Sequence, residues 1–430
     1  MYHCLYTFCF RGSGAMLGAR RINGYDSEGP TQMTRHRLPA TVIAIGLVSF
    51  LNDMASEMVT PFIPIIIATV LGGGPVILGL VEGVADAAAS LLKLWAGRYS
   101  DKKHGRRKKL MVFGYGLSNL ARPLLGLVSS WGALLLLRSL DRAGKGLRTA
   151  PRDALLGDST HPEIHGRAYG FHRAMDNAGA LGGTLLAVAA LGWMHWPVSE
   201  VILWSAVPGV LVLLVLIFAV REPARPSEPG PGGAEQATLL APLAWPQLSL
   251  NMRRYLWVLM LFTFARVSEG FILLRGNELG MSLVQVLLLW ATLNICKSVT
   301  ALPGGRLADA FGKRRLTIIS WSGYALSFFM LGLVEHGNAL WLATVLYGLL
   351  IGLGEGSERA LISVYADKRE RGTAFGWYHL TVGLSAIPAG VLFGTIWHYR
   401  DANTAFQFAG LLALLSVLLL RFWSFRNLPV

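Results

Sequence analysis

The sequence predicts an all-α membrane protein with about twelve transmembrane helices arranged as two related six-helix bundles. Three observations support this fold class. Hydrophobic residues make up 53% and charged residues 15% of the 430 residues, and the mean hydropathy is +0.47, a composition that would expose too much apolar surface to water. Apolar runs of about 20 residues, the length that crosses a bilayer, recur along the chain. A basic segment at 97–110 (GRYSDKKHGRRKKL) has a second copy at 305–315 (GRLADAFGKRR).

The apolar runs give approximate limits for twelve spans, numbered here in chain order. Spans 1–6 are predicted at 40–70, 75–96, 110–128, 131–157, 167–192 and 199–220. Spans 7–12 are predicted at 254–274, 284–303, 316–334, 338–366, 373–397 and 403–423. The segment between the two sets is rich in Pro and Gly and reads as a flexible linker. The expected units are a tail at 1–39, an N-terminal bundle at 40–220, the linker at 221–253 and a C-terminal bundle at 254–425.

The first 32 residues do not resemble a signal peptide. The opening MYHCLYTFCF is apolar but too short to cross a bilayer, and it has neither a basic start nor a small-residue cleavage site. Met33, followed by Arg35 and Arg37, offers a second start just before span 1. We therefore expect residues 1–32 either to be disordered or to lie upstream of the true translation start.

The formal charge of +14 is concentrated in alternate turns. One set of turns holds segments such as 97–110, whereas the other set carries little beyond Arg275 and Arg400. Turns rich in Lys and Arg face the cytoplasm, which predicts a multi-pass inner-membrane protein with both termini cytoplasmic. Because the basic residues do not form one polar domain, nucleic acid is excluded as a partner. The expected partners are the lipid bilayer and a small-molecule substrate, and a monomer is expected. The three cysteines indicate no disulfide framework.

The two basic segments share the pattern G-x-x-x-D-x-x-G followed by two basic residues. The first copy has one extra residue, between Asp101 and Gly105. The glycines permit a tight turn, and the aspartate can accept hydrogen bonds at a helix start or pair with a neighbouring arginine. The shared residues are Gly97, Arg98, Asp101, Gly105 and Arg106 in the first copy and Gly305, Arg306, Asp309, Gly312 and Lys313 in the second.

Two six-span halves, a central linker and this repeated loop resemble the major facilitator superfamily over about 40–425. A second internal repeat agrees, since HGRAYG at 165–170 and RGTAFG at 371–376 each open the fifth span of a half. The resemblance implies that the loop is a cytoplasmic latch, that spans 1, 4, 7 and 10 line a central cavity, and that the halves rock around a site near the midplane. Arg138 stands where the superfamily's fourth-span arginine motif begins. The segment 178–183 is similar to the fifth-span motif of drug:proton antiporters.

Ionisable residues inside the spans are the candidate functional residues, because each costs about 2.5–3.5 kcal/mol at a helix centre by insertion scales. In span 4 the cations recur every three or four residues from Arg138 to Arg152, on one side of the helix. Carboxylic acids in a partly dry cavity are suited to carry a proton between the two faces. The candidates for proton coupling or substrate binding are Asp53, Glu57, Arg138, Asp141, Arg142, Asp176, Glu269 and Glu355.

A structural role is the alternative for the charges nearer the cytoplasmic helix ends. They would form an intramembrane ion-pair network that fixes helix packing, with span 4 and span 10 paired across the halves. The residues of this predicted network are Arg148, Arg152, Asp153, Glu358 and Arg359.

These patterns favour a proton-coupled secondary active transporter that exports a small organic solute by alternating access. No cofactor beyond the proton gradient is expected, and no enzyme is indicated, since AGKGLRT at 143–149 lacks the P-loop spacing. One alternative is a proton symporter that imports an organic anion held by Arg138 or Arg142. A second is a divalent-metal exporter that uses carboxylates with His172 and His379, although no dedicated metal site is predicted. A third is a membrane sensor or scaffold without transport.

Overall fold

Helices account for nearly all the residues that the computed structural model describes, which are 38–102, 107–160, 165–222, 245, 248–365 and 371–423. No β-strand occurs in these ranges. The predicted disordered start, most of the linker, and Gly105 with Arg106 lie outside them. The side-chain surroundings of several predicted residues also lie outside the described part, namely those of Arg98, Asp101, Gly305, Arg306, Asp309, Glu355 and Arg359.

The N-terminal half contains spans 1–6. Span 1 is Ala40–Glu57, continued by short turns at Thr60–Phe62, Ile63–Ile65 and Ile66–Val70. Span 2 is Pro75–Lys102, span 3 is Arg107–Leu124 with a turn at Leu125–Leu127, and span 4 is Trp131–Asp158. Span 5 is His165–Gly192, and span 6 consists of Val198–Trp204 and Ala206–Phe218.

The C-terminal half repeats this order in spans 7–12. Span 7 consists of Leu250–Ala265 and Gly270–Glu278, span 8 is Leu283–Phe311, and span 9 is Lys313–Leu331. Span 10 is Gly337–Tyr365, span 11 is Arg371–Tyr399, and span 12 is Ala402–Phe422. We call the side where spans 2 and 3, and spans 8 and 9, are joined the basic side, and the other the opposite side.

Nine of the described spans are long and apolar enough to cross a membrane by length and composition. The exceptions are spans 3, 4 and 9, which carry basic runs at their starts or, in span 4, the row of cations from Arg138 to Arg152. Span 4 packs against spans 2 and 3, and span 9 packs against spans 10 and 12. The helices that are least suited to lipid by composition therefore pack closely against neighbouring spans, and the predicted all-α, twelve-span fold class is confirmed.

Spans 1 and 7, the first of each half, are interrupted in mid-course. In span 1 the break coincides with Pro61, whose ring cannot continue a regular helix. In span 7 the helix ends at Ala265 and resumes at Gly270, without a proline. The Ala265 carbonyl at the break accepts from the Val267 N–H at 3.1 Å and from the Tyr324 hydroxyl at 3.0 Å, so this backbone group is not left free inside the membrane. This break, which the sequence did not predict, contains Arg266 and places Glu269 at the start of the next helix.

Basic side chains tie the third span to the sixth span in each half. In the N-terminal half, Lys108 Nζ donates to the Ile217 carbonyl at 2.7 Å. In the C-terminal half, Arg314 Nη2 donates to the Arg421 carbonyl at 2.8 Å. Each cation is the second residue of its span and meets carbonyls near the C-terminus of another helix, where a positive charge is favourable. The repeated sequence therefore forms the same helix-end contact twice.

The turn between spans 8 and 9 is made by Gly312, which has a φ of 90°. Only glycine adopts this conformation readily, as the sequence pattern implied. On the opposite side, Asp401 begins span 12 and accepts a hydrogen bond from the Thr404 N–H at 2.6 Å. This hydrogen bond lowers the pKa of the Asp401 carboxyl.

The two halves touch where spans 2 and 11 cross. A Cβ added at Gly394 would meet the backbone of Pro75, and one added at Gly83 would lie 2.8 Å from the Ala386 carbonyl oxygen. Spans 5 and 8 also pack together, with Gly192 close to Val284. These contacts lie toward the opposite side. From Leu38 onward the chain forms one compact unit, and the boundaries of the two bundles stay a prediction.

Candidate functional site

A cavity of about 1170 Å³ lies between the two halves, with walls from spans 1, 2, 4, 5 and 7–11. Its wall extends toward the basic side as far as Asp153 and Glu358, near the ends of spans 4 and 10. The volume suffices for a drug-sized molecule. The acidic residues in the wall are Asp53, Glu82, Asp86, Asp153, Asp176, Glu269 and Glu358. The basic residues in the wall are Lys93, Arg138, Arg142, Lys145, Arg148, Arg152, Arg173, Arg266 and Lys297.

Arg138 is the centre of a buried network that joins spans 2, 3 and 4. Its guanidinium binds both carboxylate oxygens of Glu82, at 2.9 and 3.2 Å, and donates to Asp141 Oδ2 at 3.2 Å. The other oxygen of Asp141 accepts from Arg122 Nε at 2.9 Å. The Arg138 side chain is 2% exposed. Such two-pronged contacts are strong and geometrically specific, so Arg138 is fully engaged with protein groups.

The same network continues into span 1 through Asn52. Arg122 Nη1 donates to the Asn52 carbonyl at 3.1 Å and to its side-chain oxygen at 3.0 Å. The Asn52 amide in turn donates to Asp53 Oδ1 at 2.9 Å. Asp53 is half-buried and faces the cavity. The arginine-rich network therefore orients Asp53, and the carboxyl group of Asp53 is accessible from the cavity.

A second acid, Asp176, faces the cavity from span 5. Its Oδ2 lies 3.5 Å from His172 Nδ1, and His172 Nε2 lies 2.7 Å from Ser49 Oγ. The other oxygen, Oδ1, is buried without a hydrogen-bond partner among the described residues. An unpartnered buried carboxylate oxygen is costly. Protonation of Asp176 would lower that cost, because it removes the buried negative charge.

The remaining cations of span 4 have fewer partners. Arg148 donates to Ser118 Oγ at 2.5 Å and lies 4.6 Å from the centre of the Tyr115 ring. Arg142 comes no closer than 3.6 Å to Glu82, and its Nε has no partner within the described ranges. Lys145 is exposed to the cavity. Charge in this part of the wall is therefore available to a ligand.

Glu358 is held inside the C-terminal half. It accepts from Arg266 Nη1 at 2.9 Å and from the Tyr378 hydroxyl at 2.8 Å. Its counterpart Asp153 pairs with its neighbour Arg152 at 2.9 Å. The predicted pairing of span 4 with span 10 across the halves was therefore wrong for these residues, because the cavity separates the two spans and each charge finds a partner in its own half.

Lys297 completes the wall on span 8. Its Nζ lies 2.7 Å from Glu269 Oε2, and the Tyr347 hydroxyl donates to the other oxygen at 3.3 Å. Lys297 Nζ also lies 5.8 Å from the centre of the Trp290 ring. The Trp290 indole N–H donates to Glu57 Oε2 in span 1. A chain of polar contacts thus leads from the C-terminal half into the N-terminal half.

The predicted site residues fall into three groups. Glu57 and Asp141 do not belong to the cavity wall, because Trp290 covers the first and two arginines enclose the second. Glu355 and Arg359 lie outside the described side chains. The wall contains the others, which are Asp53, Arg138, Arg142, Arg148, Arg152, Asp153, Asp176, Glu269 and Glu358.

Several charged residues of the site were not predicted. Glu82 and Asp86 stand one helical turn apart in span 2, and Arg122 and Lys297 interrupt the apolar runs of spans 3 and 8. The rule that selected Asp53 applies equally to all four, since each is an ionisable residue inside a span. Among the described residues, no group of three or more His, Cys, Asp or Glu is placed to hold a metal ion, so the divalent-metal alternative gains no support from geometry.

Comparison with known proteins agrees with this architecture. The sequence model of the Major Facilitator Superfamily matches residues 45–293 and 270–430. An uncharacterised MFS-type transporter of Methanocaldococcus jannaschii is 32% identical over 391 residues, which cover 90% of this chain and 95% of that relative. The multidrug resistance protein MdtH of Yersinia enterocolitica is 25% identical over 354 residues, which cover 81% of this chain and 84% of that protein. The solved structure of the nucleoside transporter NupG is similar with a TM-score of 0.72 at 15% identity, covering 88% of this chain and 98% of NupG.

Two helical halves around a polar cavity define a multi-pass membrane protein of the transporter class, a class without enzymatic activity. The chain belongs to the Major Facilitator Superfamily. The family resemblance and the major facilitator fold predicted from the repeated loop are both confirmed.

Proposed function

We propose that this transporter is driven by the proton gradient and exports a small organic solute across the inner membrane by alternating access. The observation that carries the proposal is that Asp53 and Asp176 face the same large cavity from spans 1 and 5. A change in the protonation of either carboxyl group would alter the charge that a solute meets in the same cavity. The proposal needs no cofactor, and it places a monomer in the bilayer with both termini in the cytoplasm.

Orientation follows from the distribution of charge. The basic side carries the Lys- and Arg-rich turns, and such turns are retained in the cytoplasm. On this assignment the helix contacts at Gly83 and Gly394 close the periplasmic side, while the cavity extends toward the cytoplasm. The arrangement corresponds to an inward-facing state, from which an exporter would load its solute.

The absence of a close cation supports Asp53 and Asp176 as the proton carriers. Each has oxygen atoms that are not neutralised by a close arginine or lysine, whereas Glu82, Asp141, Glu269 and Glu358 are all held by cations. A carboxylate already paired with a cation gains little from a proton, but one without such a partner inside a membrane gains much. Among the acids predicted from the sequence, protonation at Asp53 and Asp176 would therefore change the charge of the cavity most readily.

Export is the proposed direction because full-length relatives include multidrug resistance proteins. The alternative, import of an organic anion, loses one of its two candidate residues, since Arg138 is buried and engaged by Glu82 and Asp141. Arg142 alone remains for that role. Export and import make opposite predictions for the movement of protons in vesicles.

The test is proton flux in proteoliposomes that contain a pH-sensitive dye, with a panel of small organic solutes and an imposed pH gradient. We expect solute-dependent proton flux in the native protein and its loss in Asp53→Asn and in Asp176→Asn. Glu335→Gln, an exposed acid between spans 9 and 10, is the matched control and should behave as the native protein. Absence of solute-dependent flux across the panel would favour a sensor or scaffold, and equal flux in both Asp variants would remove these acids from the mechanism.

A further inference from the structure

Asp86 and Lys145 are two opposite charges that face the cavity without partners. Both are exposed to it, Asp86 from span 2 and Lys145 from span 4. Among the described residues neither side chain makes an ion pair or a hydrogen bond, although Arg138, Arg152, Arg266 and Lys297 in the same wall all form ion pairs. Unpaired charges in a membrane interior are rare and point to a ligand.

The packing of spans 2 and 4 fixes the two charges at different depths. The spans run in the same direction and touch at Ala89 and Gly146, where a Cβ on Gly146 would lie 2.5 Å from the Ala89 carbonyl oxygen. Ala89 is therefore level with Gly146. Asp86, three residues before Ala89, therefore lies about 3 Å farther from the basic side than Lys145, one residue before Gly146, at about 1.5 Å per residue. The two charges therefore lie on helices in contact, in the wall of one cavity, and form no ion pair with each other among the described residues.

Arg142 strengthens the positive end of this pair. It lies three residues before Lys145, so both side chains project from neighbouring positions on the same helix face. Its contact with Glu82 is long, at 3.6 Å, and its Nε lacks a partner among the described residues. An acidic group placed between Arg142 and Lys145 could accept hydrogen bonds from both.

The facing wall in the C-terminal half is different in character. Its two cations, Arg266 and Lys297, are both held in salt bridges. Trp290 and Tyr347 also belong to this wall. It therefore offers ring faces and edges for the apolar body of a ligand, while the free charges lie on the N-terminal half.

We propose that the cavity binds a zwitterion of the amino-acid type, whose amine pairs with Asp86, whose acidic group binds Arg142 and Lys145, and whose aromatic body faces Trp290. The assignment rests on the proposed function only in taking this cavity as the solute path, and it adds the class of solute. It differs from a simple anion site because the wall contains a free acid beside the free cation. An amine at Asp86 and an acid at Lys145 would satisfy both.

The test is equilibrium binding of tritiated phenylalanine to the full-length protein in lipid nanodiscs, without any gradient. Two competitors match phenylalanine except for one charge: phenethylamine lacks the acid and 3-phenylpropionate lacks the amine. Each competitor loses one charge-assisted contact, so phenylalanine should bind at least about tenfold more tightly than either competitor. Equal binding of all three compounds, or no saturable binding of phenylalanine, would overturn the proposal.

Variants test whether Asp86 binds the amine of the ligand and whether Lys145 binds its acidic group. Asp86→Asn should abolish the preference for phenylalanine over 3-phenylpropionate, and Lys145→Gln should abolish the preference over phenethylamine. Asp86→Glu and Lys145→Arg should restore part of each preference, which a merely structural role would not do. Arg315→Gln, an exposed cation at the start of span 9, should change neither preference. If both neutral variants keep the native preferences, the proposal is wrong. Because the assay uses no gradient, a failure of proton coupling would leave these binding results intact.

Discussion

The indole N–H of Trp290 in span 8 donates a hydrogen bond to the carboxylate of Glu57 in span 1, and this contact joins the two halves. Trp290 is 8% exposed and lies between Glu57 and the Lys297–Glu269 salt bridge. In alternating access the halves must separate on the side that is now closed. The Glu57–Trp290 contact would then have to break once in every transport cycle.

Replacing Trp290 with Phe should favour the state that is open on the opposite side. The substitution keeps an aromatic ring but removes the N–H donor, so Glu57 loses the hydrogen bond that holds it to span 8. Val128 and Glu335 lie in turns on the opposite side, one in each half. Spin labels attached at these two positions, in a protein whose native cysteines have been replaced, report the distance between the halves by pulsed electron paramagnetic resonance. The variant should show a larger population of long distances than the native protein.

Trp193→Phe provides the matched control, since Trp193 is 86% exposed. Its distance distribution should equal that of the native protein. If Trp290→Phe also leaves the distribution unchanged, the Glu57 contact does not hold the halves together.

Arg138→Gln should destabilise the protein strongly. It would leave Glu82 and one oxygen of Asp141 without their guanidinium partner, and breaking a buried ion pair costs about 3–5 kcal/mol. Lys145→Gln, on the same helix, removes a charge without a partner and should change the free energy of unfolding by less than about 0.5 kcal/mol. Chemical unfolding in mixed micelles measures the free energy of unfolding of both variants. If Arg138→Gln and Lys145→Gln lose similar amounts of stability, the network around Arg138 described here is contradicted.

Glu269 and Lys297 should show energetic coupling. Their carboxylate and ammonium groups lie 2.7 Å apart and are each about three-quarters buried, with 22% and 24% of the side chains exposed. In a double-mutant cycle with Glu269→Gln and Lys297→Met, the double variant should be more stable than the sum of the single changes predicts, by about 0.5–3 kcal/mol. Strict additivity would show that the contact contributes nothing to stability.

Asp401→Ala should weaken the start of span 12. The Asp401 side chain accepts from the Thr404 N–H at 2.6 Å, and loss of such an N-cap costs about 0.5–2 kcal/mol. Because this hydrogen bond lowers the pKa of Asp401 in the folded protein, its stabilisation is present above the ordinary carboxyl pKa and is lost as the pH falls through the folded pKa. The difference in melting temperature between native protein and variant should therefore shrink in acid. Asp401→Asn, which keeps the acceptor, should retain most of the stability at every pH, and a loss equal to that of Ala would argue against capping.

The fold could be predicted because lipid imposes simple rules on sequence. Apolar length placed the spans, and span 4 ends at Asp158 where 157 was predicted. Span 8 was harder, since its helix continues through the charged motif to Phe311 and breaks only at Gly312. Hydropathy marks where a helix leaves the hydrocarbon and not where its backbone stops.

The pairing of charges could not be read from the sequence. Sequence spacing shows which cations share a face of span 4, but it does not show that Arg138 meets Glu82 of span 2 while Arg142 is left with a weak contact. That outcome depends on helix crossings set by small residues, such as Gly146 against Ala89. The break in span 7 was equally hidden, because the side chain that binds the Ala265 carbonyl there, Tyr324, lies in span 9.

If carboxylates in the cavity exchange a proton when solute binds, the purified protein should release protons in weakly buffered detergent on addition of solute. A solute that gives flux in vesicles is added, and a pH-sensitive dye records the change. We expect proton release by the native protein and by Glu335→Gln, and none by a variant that combines Asp53→Asn with Asp176→Asn. Solute binding without proton release in the native protein, or equal release in the double variant, would contradict it.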